Sequence, residues 1–152
     1  MSSVSTVLNK ANKKKELKRF IKFGIVGIIG SVVDFSILNF LIFVLGLSSP
    51  AGKIIANLIS TSVAILSNFT WNRLWTFPES RKRKKRVQLV QFTLVNLIGL
   101  IINTAIFFLT DHYFFSQFFA PNISVQLAKL TAIGLVLFWN FGANRIWTYK
   151  GL

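Results

Sequence analysis

The sequence predicts an all-α integral membrane protein of four transmembrane helices, paired as two parallel helical-hairpin repeats. Three observations carry that prediction. Apolar residues make up 53% of the 152-residue chain and gather in four runs, each able to supply the roughly 20 residues that cross the hydrocarbon of a bilayer. Only four acids are present, Glu16, Asp34, Glu79 and Asp111, too few for the mixed-sign surface of a soluble domain. Finally, the decapeptide Asn68-Phe69-Thr70-Trp71-Asn72-Arg73-Leu74-Trp75-Thr76-Phe77 returns as Asn140-Phe141-Gly142-Ala143-Asn144-Arg145-Ile146-Trp147-Thr148-Tyr149, with six positions identical. A repeated ending of this kind marks a duplicated unit.

Composition narrows the chemistry. The chain has no cysteine and one histidine, His112, so disulfides, thiolate metal sites and histidine clusters are excluded. No Ser/His/Asp constellation, phosphate-binding glycine loop or metal-ligand spacing occurs. The reading is therefore no enzyme, no catalytic residue, no cofactor and no metal. The net charge of +14 would suit nucleic acid, but the 18 basic residues fall mainly in two blocks flanking apolar runs. That distribution fixes membrane topology, and nucleic acid is not an expected partner.

Taken in order, residues 1–19 form a basic cytoplasmic segment, helical towards Glu16, that lies on anionic membrane lipids; each cation there contributes about 1 kcal/mol of attraction. The membrane domain covers 20–149, with one repeat over 20–77 and the other over 87–149. The first span runs from Phe20 to Leu45, with Gly24, Gly27 and Gly30 as a small-residue stripe that admits a close helix neighbour. A turn containing Ser48, Ser49 and Pro50 leads to the second span, Ala51 to Trp71. Asn72 to Arg86 reads as a loop, with Pro78 breaking any helix. The third span covers Val87 to Leu109, an aromatic connection covers Asp111 to Ser124, and the fourth span covers Ile123 to Asn144.

Sixteen of the 18 cations fall on one side of these spans, which the positive-inside rule makes cytoplasmic. Both termini are then on the cytoplasmic side of the cell membrane. Phe23 aligns with Phe92, Gly30 with Gly99 and Asp34 with Asn103 at an offset of 69, while Asn68 aligns with Asn140 and Arg73 with Arg145 at an offset of 72. Both hairpins start and end on the same side, so a pseudo-two-fold along the membrane normal is expected.

Two-helix repeats ending in Asn-Arg-x-Trp-Thr-aromatic, with the opening Phe23-Gly24-Ile25-Val26-Gly27-Ile28-Ile29-Gly30-Ser31, resemble the GtrA-like family of small membrane proteins. The resemblance covers Phe20 to Tyr149. It implies translocation of a polyprenyl-phosphate-linked sugar across the cytoplasmic membrane, for cell-surface polysaccharide or teichoic-acid glycosylation by a separate glycosyltransferase partner.

Two sets of residues stand out. Counting 1.5 Å per residue from the basic ends places Asp34, Asn57, Asn103 and Lys129 in one intramembrane polar layer, about 22–26 Å from the cytoplasmic edge. Ionisable groups at that depth cost about 2.5–3.5 kcal/mol each and by default read as functional; a purely structural Asp34–Lys129 pair is the alternative. The second set is Asn68, Asn72, Arg73, Asn140, Asn144 and Arg145. Guanidinium and amide donors suit phosphate oxygens, so these residues form a candidate headgroup site, against a reading of Arg and Trp as interfacial anchors and of Asn72 and Asn144 as helix caps. Four helices enclose little volume, so a homodimer is a further expectation. Two rival functions remain: a small proton-coupled multidrug-type exporter working through Asp34, and a non-transporting scaffold for a glycosyltransferase.

Overall fold

The computed structural model describes residues 2–150, with side chains described from Asn12 onward, Asn122 excepted; the side chain of Lys10, counted in the first basic block, lies outside that range. The described residues are all-helical, and four stretches are long and apolar enough to cross a membrane: Asn12–Val44, Pro50–Thr76, Lys85–Gln117 and Ile123–Thr148. The chain divides between Lys82 and Arg83 into two compact units, each a helical hairpin.

In the first unit, α1 (Ser2–Asn39) runs into a π-helical turn, Phe40–Val44. Gly46 then takes φ +74°, a conformation glycine adopts without steric cost. α2 (Pro50–Trp71) starts on Ser49, whose side chain accepts from the Gly52 N–H, with Pro50 in the first turn, where its missing N–H is not needed. A Cβ at Gly52 would come within 3.0 Å of the Leu47 carbonyl and of Ser49 Oγ, so the tightness of this turn requires glycine.

The first motif departs from the loop expected over 72–86. Asn72–Thr76 is a π-helical turn continuing α2, and Pro78–Lys82 is a 3₁₀ helix. The Phe77 N–H reaches back to the Asn72 carbonyl at 2.8 Å, so the helix widens before it ends. Pro78 opens the next helical turn instead of preventing one, because the first residues of a helix have no intrahelical acceptor for their N–H.

The second unit comprises α3 (Lys85–Tyr113), a 3₁₀ turn at Phe115–Gln117, α4 (Pro121–Ala143) and a π-helical turn at Asn144–Thr148. Ser124 Oγ donates to the Asp111 carboxylate, tying the end of α3 to the start of α4. The Tyr149 N–H bonds to the Asn144 carbonyl at 2.8 Å, reproducing the wide turn of the first unit.

Packing within each hairpin follows size. From α2 and its π turn the inward positions are Gly52, Ala56, Ser60, Ala64, Asn68, Asn72 and Thr76, every fourth residue; from α4 and its π turn they are Ser124, Ala128, Ala132, Val136, Asn140, Asn144 and Thr148. Each position in the second ladder is the offset-72 counterpart of one in the first. Opposite them stand Arg19, Phe23, Val26 and Gly30 of α1, and Gln88, Phe92, Val95 and Gly99 of α3, again matched pairwise. Small side chains let helices approach in a medium that gives no hydrophobic reason to associate, so close van der Waals contact holds the hairpin. Many large apolar residues point the other way: Ile28, Phe35, Phe43, Leu100, Ile101 and Phe138 are all exposed.

One expectation changes here. Of the Gly24, Gly27 and Gly30 stripe, only Gly30 sits at a close approach; a Cβ at Gly24 or Gly27 would meet nothing within 4 Å.

Candidate functional site

The motif end of each hairpin is built from the last rungs of the ladder. The Asn68 carboxamide lies where a Cβ on Gly30 would be, and the Asn140 carboxamide where one on Gly99 would be. Both Asn Oδ1 atoms are buried without a conventional hydrogen bond and face the glycine Cα, a geometry suited to weak Cα–H···O contact. Asn68 and Asn140 thus sit between the helices of their own hairpins.

Asn72 and Asn144 are buried one turn on. Their backbone N–H groups bond to residues 68 and 69, and to 140 and 141, and so continue the helix. The Asn144 carboxamide is used internally: its Nδ2 donates to the Asn140 carbonyl at 2.8 Å, and its Oδ1 accepts from Thr148 Oγ1 at 2.7 Å. In the first hairpin the matching Asn72 Oδ1 and Thr76 Oγ1 are buried and unbonded. Arg73 and Arg145 are half-buried on the same turns, and Arg73 donates to the Arg81 carbonyl at 2.9 Å. Phe77 and Tyr149 close the ends, with ring centroids 6.5 Å from Phe23 and 6.3 Å from Phe92 respectively.

Carbonyls left free at these helix ends are covered by cations, as the macrodipole favours. Arg81 donates to the Leu74 carbonyl at 2.6 Å and Lys22 to the Trp75 carbonyl at 3.1 Å. In the second hairpin Arg83 reaches the Trp147 and Thr148 carbonyls at 2.9 and 2.8 Å, and Gln88 reaches Thr148 at 3.2 Å. Two members of the basic run at 81–86 are therefore turned inward as caps.

The polar layer resolves hairpin by hairpin. Asp34 is half-buried and accepts from Thr61 Oγ1 at 3.5 Å, while Asn57 is exposed. Asn103 is half-buried and Lys129 is exposed. Asn57 and Lys129 each follow a buried alanine of the ladder, Ala56 and Ala128, which puts them just off the packed face.

The sequence reading missed a cluster on the first hairpin. Lys15, Lys18, Arg19 and Lys22 of α1 line a cavity of about 230 Å³ with Trp75, Thr76, Pro78 and Glu79. Glu79 pairs with Lys15 at 2.9 Å and with Arg19 at 2.8 Å, and Glu16 holds Arg19 from its own helix. The Lys22 ammonium stands 4.9 Å from the Trp75 ring centroid, within cation–π range. Burial works to raise the Glu79 pKa, but a backbone hydrogen bond and the Lys15 and Arg19 charges outweigh it and bring the carboxyl from 4.5 down to about 2. The available signal was the three-to-four-residue spacing of Lys15, Lys18, Arg19 and Lys22, which places them along one side of a helix.

A family profile, "GtrA/DPMS, transmembrane domain", matches residues 22–149. Among curated proteins the chain is similar to "Uncharacterized membrane protein YngA" of Bacillus subtilis (strain 168), 26% identical over 114 residues, covering 75% of this chain and 71% of that protein. The profile takes in both hairpins and both copies of the motif, and on that match this multi-pass membrane protein belongs to the GtrA/DPMS transmembrane-domain family.

Proposed function

We propose that the protein translocates a polyprenyl-phosphate-linked sugar from the cytoplasmic to the outer leaflet of the cell membrane, for use by a surface glycosyltransferase. Family membership supports a role in polyprenyl-sugar processes. The observation that carries the reading further is the matched construction of the two motif ends, where an arginine emerges from a buried Asn–Thr turn beside exposed tryptophans. Such an end offers a planar guanidinium at the depth where a lipid phosphate lies, and Trp71, Trp75 and Trp147 suit the headgroup interface.

In this scheme both motif ends and both termini face the cytoplasm, and Arg73 and Arg145 engage the phosphate. Asn68, Asn72, Asn140 and Asn144 act as positioning residues that set the helix ends, since their carboxamides lie inside the hairpins. Asp34, Asn57, Asn103 and Lys129 supply polar stations along the path of the sugar, while the prenyl chain stays in lipid.

Reconstituted liposomes carrying a fluorescent polyprenyl-phosphate sugar test the proposal. Protein-dependent loss of inner-leaflet protection from an external quencher is expected, reduced about tenfold or more in an R73M/R145M variant, because a charge-assisted bidentate contact is worth roughly 1.5–3 kcal/mol. Absence of translocation under every ion gradient, with the protein correctly folded, would overturn it and leave scaffolding of a glycosyltransferase as the reading.

A further inference from the structure

We infer that the first hairpin carries its own anion site for a phosphate ester, formed by Lys15, Lys18, Arg19 and Lys22 against Trp75, in which Glu79 is a built-in competitor that the ligand displaces. The inference rests on the proposed function only for the identity of a lipid carrier; the affinity for phosphate stands on the cavity alone.

Charge is the first argument. Four cations line the cavity, and Glu79 and Glu16 are the two carboxylates paired to them, leaving an excess of +2. Lys18 faces the cavity, with no hydrogen bond or ion pair among the described residues. The Glu79 Oε1 atom that bridges Lys15 and Arg19 occupies the position that a phosphate oxygen would take, since both present an acceptor to the same donors.

Construction is the second. Arg19 has a side chain only 6% exposed and is also held by Glu16, so it stays in place when Glu79 leaves. Glu79, by contrast, lies on a short 3₁₀ helix that begins at Pro78, with its side chain 40% exposed, so solvent is at hand to receive its carboxylate. Its low pKa keeps it ionised at any physiological pH, which makes a competing anion, and not a proton, the agent that releases it. Size is the third: about 230 Å³ falls below the roughly 300–1,000 Å³ typical of sites that enclose a whole ligand, and suits a phosphoryl group whose substituent projects outward.

The second hairpin supplies an internal comparison. At the offset-69 positions it has Lys84, Val87, Gln88 and Gln91 in place of Lys15, Lys18, Arg19 and Lys22. Gln88 and the neighbouring Arg83 are engaged with carbonyls of the π turn. The duplicated fold is retained there, but the cluster of cations is not.

Calorimetric titration of the full-length protein in phosphatidylcholine nanodiscs tests the site, with inorganic pyrophosphate in one arm and polyprenyl phosphate embedded in the disc in the other. Binding in either arm that weakens about tenfold or more in K18M/K22M and tightens about tenfold in E79Q is expected, the first through removal of charge-assisted hydrogen bonds and the second through removal of the competitor. A response confined to the disc-borne lipid identifies a lipid headgroup, and one confined to pyrophosphate identifies a soluble phosphate ester; both uphold the site. Absence of binding in both arms, or binding indifferent to K18M/K22M, overturns it, as does weaker binding by a folded E79Q. Should E79Q fail to fold, K18M alone decides, because Lys18 has no described partner to lose. Translocation by a protein whose phosphate binding is indifferent to K18M/K22M would overturn the site and leave the transport reading standing, whereas binding that weakens in K18M/K22M in a protein that never translocates would do the reverse.

Discussion

At the scale of single residues, the contact between Gly30 and Asn68 makes a sharp prediction. Alanine at position 30 would overlap the Asn68 carboxamide, and displacing a packed side chain costs about 1–3 kcal/mol. Alanine also gains about 1 kcal/mol over glycine in a helix, so G30A should lose the smaller difference and become neutral or stabilising once Asn68→Ala removes the obstacle. A double-mutant cycle in thermal unfolding checks this, and additive effects would refute it. Gly24→Ala, with open space around its Cβ, should show no such coupling. Glu79 gives a second prediction at this scale. Its folded pKa lies below the ordinary 4.5, at about 2, so its contribution to stability is complete above 4.5 and lost as pH falls through 2. Wild type should exceed E79Q in stability at pH 6, and the advantage should shrink steadily below pH 4.5. An advantage that instead grew on acidification would contradict the sign of the shift.

The elements show how much of this was legible in the sequence and where the reading stopped. The four spans could be read because hydrocarbon thickness selects long apolar runs, and the duplication could be read because Asn, Arg, Trp and Thr recur at fixed spacing. Only the last rungs of the four-residue ladder, Asn68, Asn72 and Thr76 with their counterparts Asn140, Asn144 and Thr148, fall within the repeated motif. In water a helix buries its apolar face, so hydrophobic period reports the inside; in lipid the outside is equally apolar and only side-chain size reports the packed face. Gly52, Ala56, Ser60 and Ala64 share smallness but no hydropathy, and so escape a hydrophobic pattern. The π turns were missed for a related reason: Asn, Arg and Trp at a span boundary look like an interfacial loop, and Pro78 reinforces that impression. Structurally, the wide turn leaves consecutive residues, Thr76 and Phe77, both buried. Phe77→Ala should empty the aromatic pocket beside Phe23 that closes the turn, with a loss of about 3–5 kcal/mol. Thermal denaturation in detergent measures it, and an unchanged midpoint would show this closure to be dispensable.

For the whole molecule, the absence of cysteine makes orientation directly measurable. Single-cysteine variants at Ser48 and Gln117, in the connections within the two hairpins, should react with an impermeant maleimide from outside intact cells. A variant at Lys82, between the hairpins, should react only after permeabilisation. Labelling of Ser48 and Gln117 from opposite sides would refute the parallel arrangement of the repeats. The two motif turns also bear on history. Both hairpins end in the same wide turn, closed by the same backbone bond from residue 77 or 149 to an asparagine five positions earlier, although the side chains around it have diverged. A distortion inherited in both halves is older than the gene doubling that produced them, whereas the lysines and arginine gathered beside Trp75 in one half alone record a later divergence. On that reading the duplicated unit was a hairpin that already ended in the wide turn, and its two copies now differ in the charge gathered beside it.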